Sequence, residues 1–108
     1  MGLFGKSKKQ KKQIEISTAD RIIMEQLKND DDAYITALAK QMIDGAPLIL
    51  NFDALHIDRA NKAIAFISGV VFAVGGHIVE INETTYLFGN KVLYDDHTVE
   101  SWLKTNLN

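Results

Sequence analysis

The sequence contains no cysteine, which excludes disulfides and thiolate metal sites and suits a cytosolic protein. No apolar run approaches the roughly 18 residues that a membrane-spanning helix needs. The N-terminus lacks the apolar stretch of a secretory signal. Paired metal-binding histidines are missing too. His56, His77 and His97 stand about twenty residues apart, without the i, i+3 or i, i+4 spacing of helix-borne ligands, and are expected to be structural or solvent-facing. Asp30-Asp31-Asp32 lacks the alternate-residue oxygens and distal glutamate of a calcium loop, and reads as a solvated helix entrance. Gly2-Leu3-Phe4-Gly5-Lys6-Ser7 is two residues too short between its glycines for a phosphate-binding loop, and no strand precedes it. No serine sits in a nucleophile elbow, and no carboxylate pair is recognisable. These absences argue against an enzyme, and no metal or cofactor is expected.

What is present is one domain's worth of chain. Its 108 residues are 46% hydrophobic and 24% charged, ordinary values for a globular protein with a single modest core. Charge is distributed unevenly. Lys6, Lys8, Lys9, Lys11 and Lys12 are five of the twelve basic residues, and no acid accompanies them in the first twelve positions. That leaves seven basic residues against fourteen acids, a net charge of −7 on the remainder. A basic tail on an acidic body bears on partners rather than on fold. Residues 1–13 read as a flexible tail, because two glycines and five lysines offer little apolar area to offset the entropy of ordering. Leu3 and Phe4 followed by the lysines suit the surface of an anionic bilayer, where each lysine contributes about 1 kcal/mol. Mere solvation of the tail is the alternative. Nucleic acid is disfavoured, since the body supplies no second basic patch and the tail no stacking pattern. The myristoylation pattern fails at Lys6, where Ser or Thr is required.

Residues 14–108 carry the folded domain. Ile14–Thr18 alternates apolar and polar, as either a short strand or the tail's exit. Arg21–Leu27 fits a strand or a helix by pattern alone. Ala33, Ile35, Ala37, Leu38, Met42 and Ile43 place most apolar residues on one face of a helix that Gly45 and the only proline, Pro47, terminate. Leu48–Phe52 reads as a central strand covered on both faces. Asp58 opens a second helix whose stripe is Ala60, Ala63, Ile64 and Ile67. Ala65, Phe66 and Gly69 lie away from that stripe, so either this domain buries the helix all round or a partner covers its second face. Val70–Val74 and His77–Ile81 are expected to be strands joined by the hairpin signal Gly75-Gly76. Asn82-Glu83 then turns the chain into a strand over Thr84–Phe88. Asp95 or Asp96 caps a final amphipathic helix through Val99, Trp102, Leu103 and Leu107. The expected architecture is α/β: a two-layer sandwich with a β-α-β-α-β-β-β core and a C-terminal helix.

Four segments, taken in order and spacing, resemble the SepF family of cell division proteins. They are Leu48–Phe52, a strand ending near Asn51; Phe66-Ile67-Ser68-Gly69; Val71-Phe72-Ala73-Val74-Gly75-Gly76; and Thr85-Tyr86-Leu87. The similarity covers about Ile22–Phe88 and favours the strand reading of Arg21–Leu27. It implies a homodimer capable of further assembly, anchored by its N-terminus at the inner face of the cell membrane at the division site. It also implies binding to the C-terminal tail of the tubulin-like division protein FtsZ, and tethering of FtsZ filaments. By matching position, Ala60, Phe66, Gly69, Phe72 and Tyr86 fall on partner or self-contact surfaces, with plain core burial the alternative for Phe66 and Phe72. Leu3, Phe4, Lys6, Lys8, Lys9, Lys11 and Lys12 would touch the membrane. The chain departs from the family in its nearly absent linker, its short anchor, Gly89-Asn90 in place of a proline, and Trp102 in an additional helix. The competing function is a small α/β regulatory domain that binds a metabolite at a dimer interface.

Overall fold

A computed structural model of the chain describes residues 16–107. Leu3, Phe4 and the five tail lysines lie outside the described residues. A 3-10 turn, Ala19–Arg21, leads into β1 (Ile23–Gln26), α1 (Asp32–Ile43), β2 (Leu48–Asn51), α2 (Ile57–Ala73), β3 (His77–Asn82), β4 (Thr85–Gly89) and α3 (Thr98–Leu107). Four strands form one mixed sheet in the order β1-β2-β4-β3. β1 runs parallel to β2, whereas β4 is antiparallel to both β2 and β3. This is the α/β sandwich anticipated from the pattern of elements, with α1 and α2 packed on one face and α3 adding cover on the other.

β2 explains the layering. Leu48, Ile49 and Leu50 are all buried, and their side chains alternate across the sheet. Leu48 and Leu50 join Phe88 and meet Ile35, Leu38 and Met42 of α1 and Ala63, Ile67 and Val71 of α2. Ile49 and Leu87 point the other way, into a smaller cluster with Leu93 and Val99 that Trp102 and Leu103 flank. On α1 the buried stripe is Ile35, Leu38, Ala39 and Met42. Ala33, Ala37 and Ile43, expected on the apolar face, are exposed, because the helix turns only a narrow face to the sheet. Tyr34 extends beside that stripe, and its hydroxyl donates to Glu25 Oε1 on β1. Burial, reinforced by this bond and by the carboxylate's charge, pushes the phenol up to about 12.

Of the two readings of Ile14–Thr18, the described residues 16–18 follow the exit and not the strand, and the chain enters β1 through the 3-10 turn. One segment is corrected. Val70–Val74, read as a strand, is instead the last turn of α2, which ends at Ala73, and its C-cap Val74. The buried stripe Ala60, Ala63, Ile67 runs on to Val71 at helical spacing, and that burial outweighs the weak strand preference of paired valines. Gly75-Gly76 is accordingly a helix stop and not a hairpin. Gly75 takes the left-handed conformation (φ 67°), Gly76 N–H donates to the Val71 carbonyl at 2.8 Å, and Gly75 N–H to Phe72 at 3.1 Å. These two bonds constitute a Schellman cap. Gly76 is further constrained by packing: a Cβ there would lie 2.1 Å from the Gly89 carbonyl oxygen. The true hairpin joins β3 to β4, where Asn82 Oδ1 accepts from Thr84 N–H at 3.0 Å in an Asx turn.

The C-terminal helix is pinned to the start of the domain by one carboxylate. Asp96 Oδ1 accepts from Thr98 N–H (3.1 Å) and Oγ1–H (2.8 Å), capping α3 as expected. Asp96 Oδ2 accepts from Thr18 N–H (2.9 Å) and Oγ1–H (3.0 Å), 78 residues away in sequence. Thr98 Oγ1 in turn accepts from Ala19 N–H at 2.9 Å. The Thr18 amide first, then the Thr98 amide and hydroxyl, hold the Asp96 carboxyl well below the usual carboxylate range.

Gly75→Ala should lower stability by about 1 kcal/mol, the cost of a Cβ in the left-handed region. Gly76→Ala should cost more, because backbone must move; equal shifts of the two denaturant midpoints would contradict this packing. For Asp96→Ala, the native chain should melt at higher temperature at neutral pH. Because the folded pKa is depressed, the charge-dependent part of that advantage is present above the ordinary Asp value of about 3.9 and shrinks as pH falls below it. Melting curves recorded between neutral and strongly acidic pH test the sign.

Candidate functional site

α2 presents two different faces. Its inner face carries Ala60, Ala63, Ile67 and Val71 into the core. Its outer face leaves Phe66 46% and Phe72 88% exposed, with Gly69 between them in open space. Spacings of three residues place Phe66, Gly69 and Phe72 along one side, and exposed Ala65 and Ala73 widen it. Neither phenylalanine belongs to the core. The expectation that placed Phe72 on a hairpin strand is corrected along with the strand itself: only as part of α2 does it line up with Phe66 and Gly69. An apolar stripe with a bare glycine at its centre permits the close approach of another helix.

The other two singled-out residues lie elsewhere. Ala60 is buried near the start of α2, and Tyr86 is half-buried on β4. Tyr86 packs edge-on to Phe52 at 6.1 Å between ring centroids and stacks near Phe88, also at 6.1 Å. Ala60 and Tyr86 both line a cleft of about 210 Å³ between the start of α2 and the β3–β4 turn. Asn51 shapes this end of the sheet: its Oδ1 accepts from Asp53 N–H and its Nδ2 donates to Thr85 Oγ1, both at 2.9 Å. The five residues therefore divide between a helix face and a cleft, and Phe66 alone also reaches a third feature.

That feature is a groove of about 320 Å³ between α1 and α2, with Ile35, Ala63 and Phe66 on its apolar floor. Its charged rim was not anticipated from sequence. Lys62 Nζ lies 3.8 Å from Asp30 and 3.7 Å from Asp32, and Arg59 lies 3.8 Å from Asp30. The aspartates that read as a helix entrance thus also balance two cations of α2. The available signal was the i, i+3 pair Arg59 and Lys62 beside the apolar stripe, but their partners come from the entrance and first residue of α1.

The histidines occupy local roles. His56 Nδ1 accepts from Asp58 N–H at 3.4 Å at the start of α2. The His77 ring lies 5.1 Å from that of Tyr94, and His97 Nδ1 is 3.4 Å from Glu100. Among the described residues no group of three or more His, Cys, Asp or Glu side chains converges to hold a metal ion. No described helix is long and apolar enough to cross a membrane.

A family model described as cell division protein SepF matches residues 22–89, which include both grooves and the whole of α2. The chain is similar to the cell division protein SepF of Carboxydothermus hydrogenoformans, 30% identical over 54 residues, or 50% of this chain and 39% of the relative. Similarity to that of Natranaerobius thermophilus is 33% over 51 residues, 47% of this chain and 30% of the relative. The protein of the same name from Lactiplantibacillus plantarum is 30% identical over 53 residues, 49% and 38% of the two chains. The matched region thus spans less than two fifths of these relatives' length.

Substitutions on the two faces of α2 should separate folding from association. Ile67→Ala should cost about 2–5 kcal/mol in chemical denaturation, as expected for a buried large-to-small change. Phe72→Ser should alter that stability by less than about 0.5 kcal/mol. Comparable losses from both would mean that Phe72 is structural.

Proposed function

Since the chain belongs to the SepF family of cell division proteins, we propose that it binds the C-terminal tail of FtsZ and tethers FtsZ filaments to the membrane as a dimer or polymer. The observation that carries this reading is the exposed stripe of Phe66, Gly69 and Phe72 on a helix whose other face is fully buried. Large aromatic side chains in water on a well-packed domain favour association, and burying each contributes about 1.5–3 kcal/mol. Phe72 and Gly69 serve self-association. Phe66, at the border of the stripe and the α1–α2 groove, serves the FtsZ tail.

The groove fits a short acidic-apolar peptide. Ile35, Ala63 and Phe66 accept an apolar side chain, and Lys62 and Arg59 can exchange their aspartate partners for peptide carboxylates. An exchange of this kind replaces one screened surface pair with another, so apolar contact supplies most of the affinity. Membrane attachment falls to Leu3, Phe4, Lys6, Lys8, Lys9, Lys11 and Lys12. At about 1 kcal/mol per lysine the attraction of one copy is weak and salt-sensitive, and assembly through α2 strengthens it by avidity. The reaction is binding alone, without chemistry, and its site is the cytoplasmic face of the division plane.

Titration of the full chain with a fluorescent FtsZ C-terminal peptide tests the tether. Saturable binding is expected, with affinity reduced at least about tenfold, or 1.4 kcal/mol, by Phe66→Ala. Binding unaffected by that variant would move the site away from α2, and absence of binding by a folded sample would refute the partner. In sedimentation velocity, Phe72→Ser should shift the chain toward monomer. Neutralising the five lysines should abolish flotation with anionic vesicles while leaving peptide affinity intact.

A further inference from the structure

We propose that the cleft between the start of α2 and the β3–β4 turn is a docking site for this chain's own N-terminal segment, Leu3–Lys12. The floor of the cleft is apolar, formed by Leu55, Ile57, Ile64 and Tyr86, and Ile57 is 66% exposed. Its rim is acidic: Asp53 and Glu83 are both exposed, and neither takes part in an ion pair among the described residues. None of the described side chains that line it is basic. An apolar floor with carboxylates that have no ion-pair partner among the described residues suits a ligand with apolar side chains and adjacent cations. Leu3 and Phe4, followed by Lys6, Lys8 and Lys9 with no acid among them, have that composition.

The α1–α2 groove does not compete for this ligand, because its two aspartates are already matched by Arg59 and Lys62. Length is sufficient as well. The described chain starts at Ile16, and the twelve residues back to Phe4 reach about 40 Å when extended. The chain enters β1 at Ile23, opposite Leu48, and the cleft opens just past Asn51, about 13 Å further along β2. The segment can therefore reach the cleft of its own domain.

Docking in the cleft and binding to a bilayer would use the same Leu3, Phe4 and lysines, so the two are mutually exclusive. The cleft is covered when the segment is off the membrane and open when it is on it. This second step rests on the membrane reading above; the docking itself does not.

The absence of cysteine allows a direct test. Ser7→Cys, carrying a nitroxide spin label, should selectively weaken the amide signals of Asp53, Leu55, Ile57, Glu83 and Thr84 in NMR spectra of the full chain. The effect should disappear with Asp53→Asn and Glu83→Gln combined, whose melting temperature should be unchanged, and in 1 M salt, where the Debye length falls to about 3 Å. Leu3→Ser with Phe4→Ser should weaken it although every lysine remains. Weakening spread uniformly over the domain, or centred on the α1–α2 groove, would overturn the proposal. So would an effect that appears only when labelled and isotope-enriched copies are mixed, which would assign the segment to a neighbour. Anionic vesicles should restore the cleft signals; persistence of docking with vesicle-bound protein would overturn the mutual exclusion, and failure of the chain to bind vesicles would refute the membrane reading while leaving the docking result intact.

Discussion

The structure depends on a single strand whose two faces are both dry. Leu48, Ile49 and Leu50 are buried in succession, so β2 cannot lie at an edge or under solvent, and every other element is arranged around that constraint. Each such side chain contributes about 1.5–3 kcal/mol on leaving water. Parallel pairing with β1 requires a crossover, which α1 supplies, and antiparallel pairing with β4 closes the other side. Alternation then divides the core, with Leu48 and Leu50 beneath α1 and α2 and Ile49 beneath the segment leading into α3.

From the end of β2 the chain must pass to the far edge of the sheet, and α2 is the element that takes it there. Its 17 residues make a helix of about 25 Å, whereas the four residues of β2 span about 13 Å. α1, at 12 residues, is also shorter. The face of α2 that carries Ala60, Ala63, Ile67 and Val71 meets the core, and the opposite face, with Phe72, is left in solvent. The same length places the Schellman cap against the β4 terminus, where Gly76 passes the Gly89 carbonyl too closely for any side chain. Fold and function therefore meet in α2, one face of which completes the core while the other remains open to partners.

Charge separates the two concave surfaces that flank this helix. The groove toward α1 is balanced, with Arg59 and Lys62 set against Asp30 and Asp32. The cleft toward the β3–β4 turn is acidic, and among the described residues its Asp53 and Glu83 have no ion-pair partner. The two sites thus favour ligands of different charge, which is how a small domain can distinguish between segments that are both partly apolar.

Much of this was legible in order along the chain. The apolar run at Leu48–Phe52 specified a central strand, Gly45 ended α1, Asp95 or Asp96 was marked to cap α3, and five of the ten lysines were concentrated in residues 6–12, because burial on both faces, capping and charge segregation are written locally. The Val70–Ala73 segment was not legible. Paired valines before two glycines satisfy a hairpin and a helix stop equally well, and only the fit of Val71 beneath the sheet chooses between them. The exposure of Phe66 and Phe72, the meeting of Ala60 with Tyr86, and the ion pairs of Asp30 also required the fold. Sequence alone determined which residues must leave water and where the chain turns, since those follow from each residue's own chemistry. Tertiary structure decided which apolar residues were left uncovered, because exposure depends on which face of each element packs against the others.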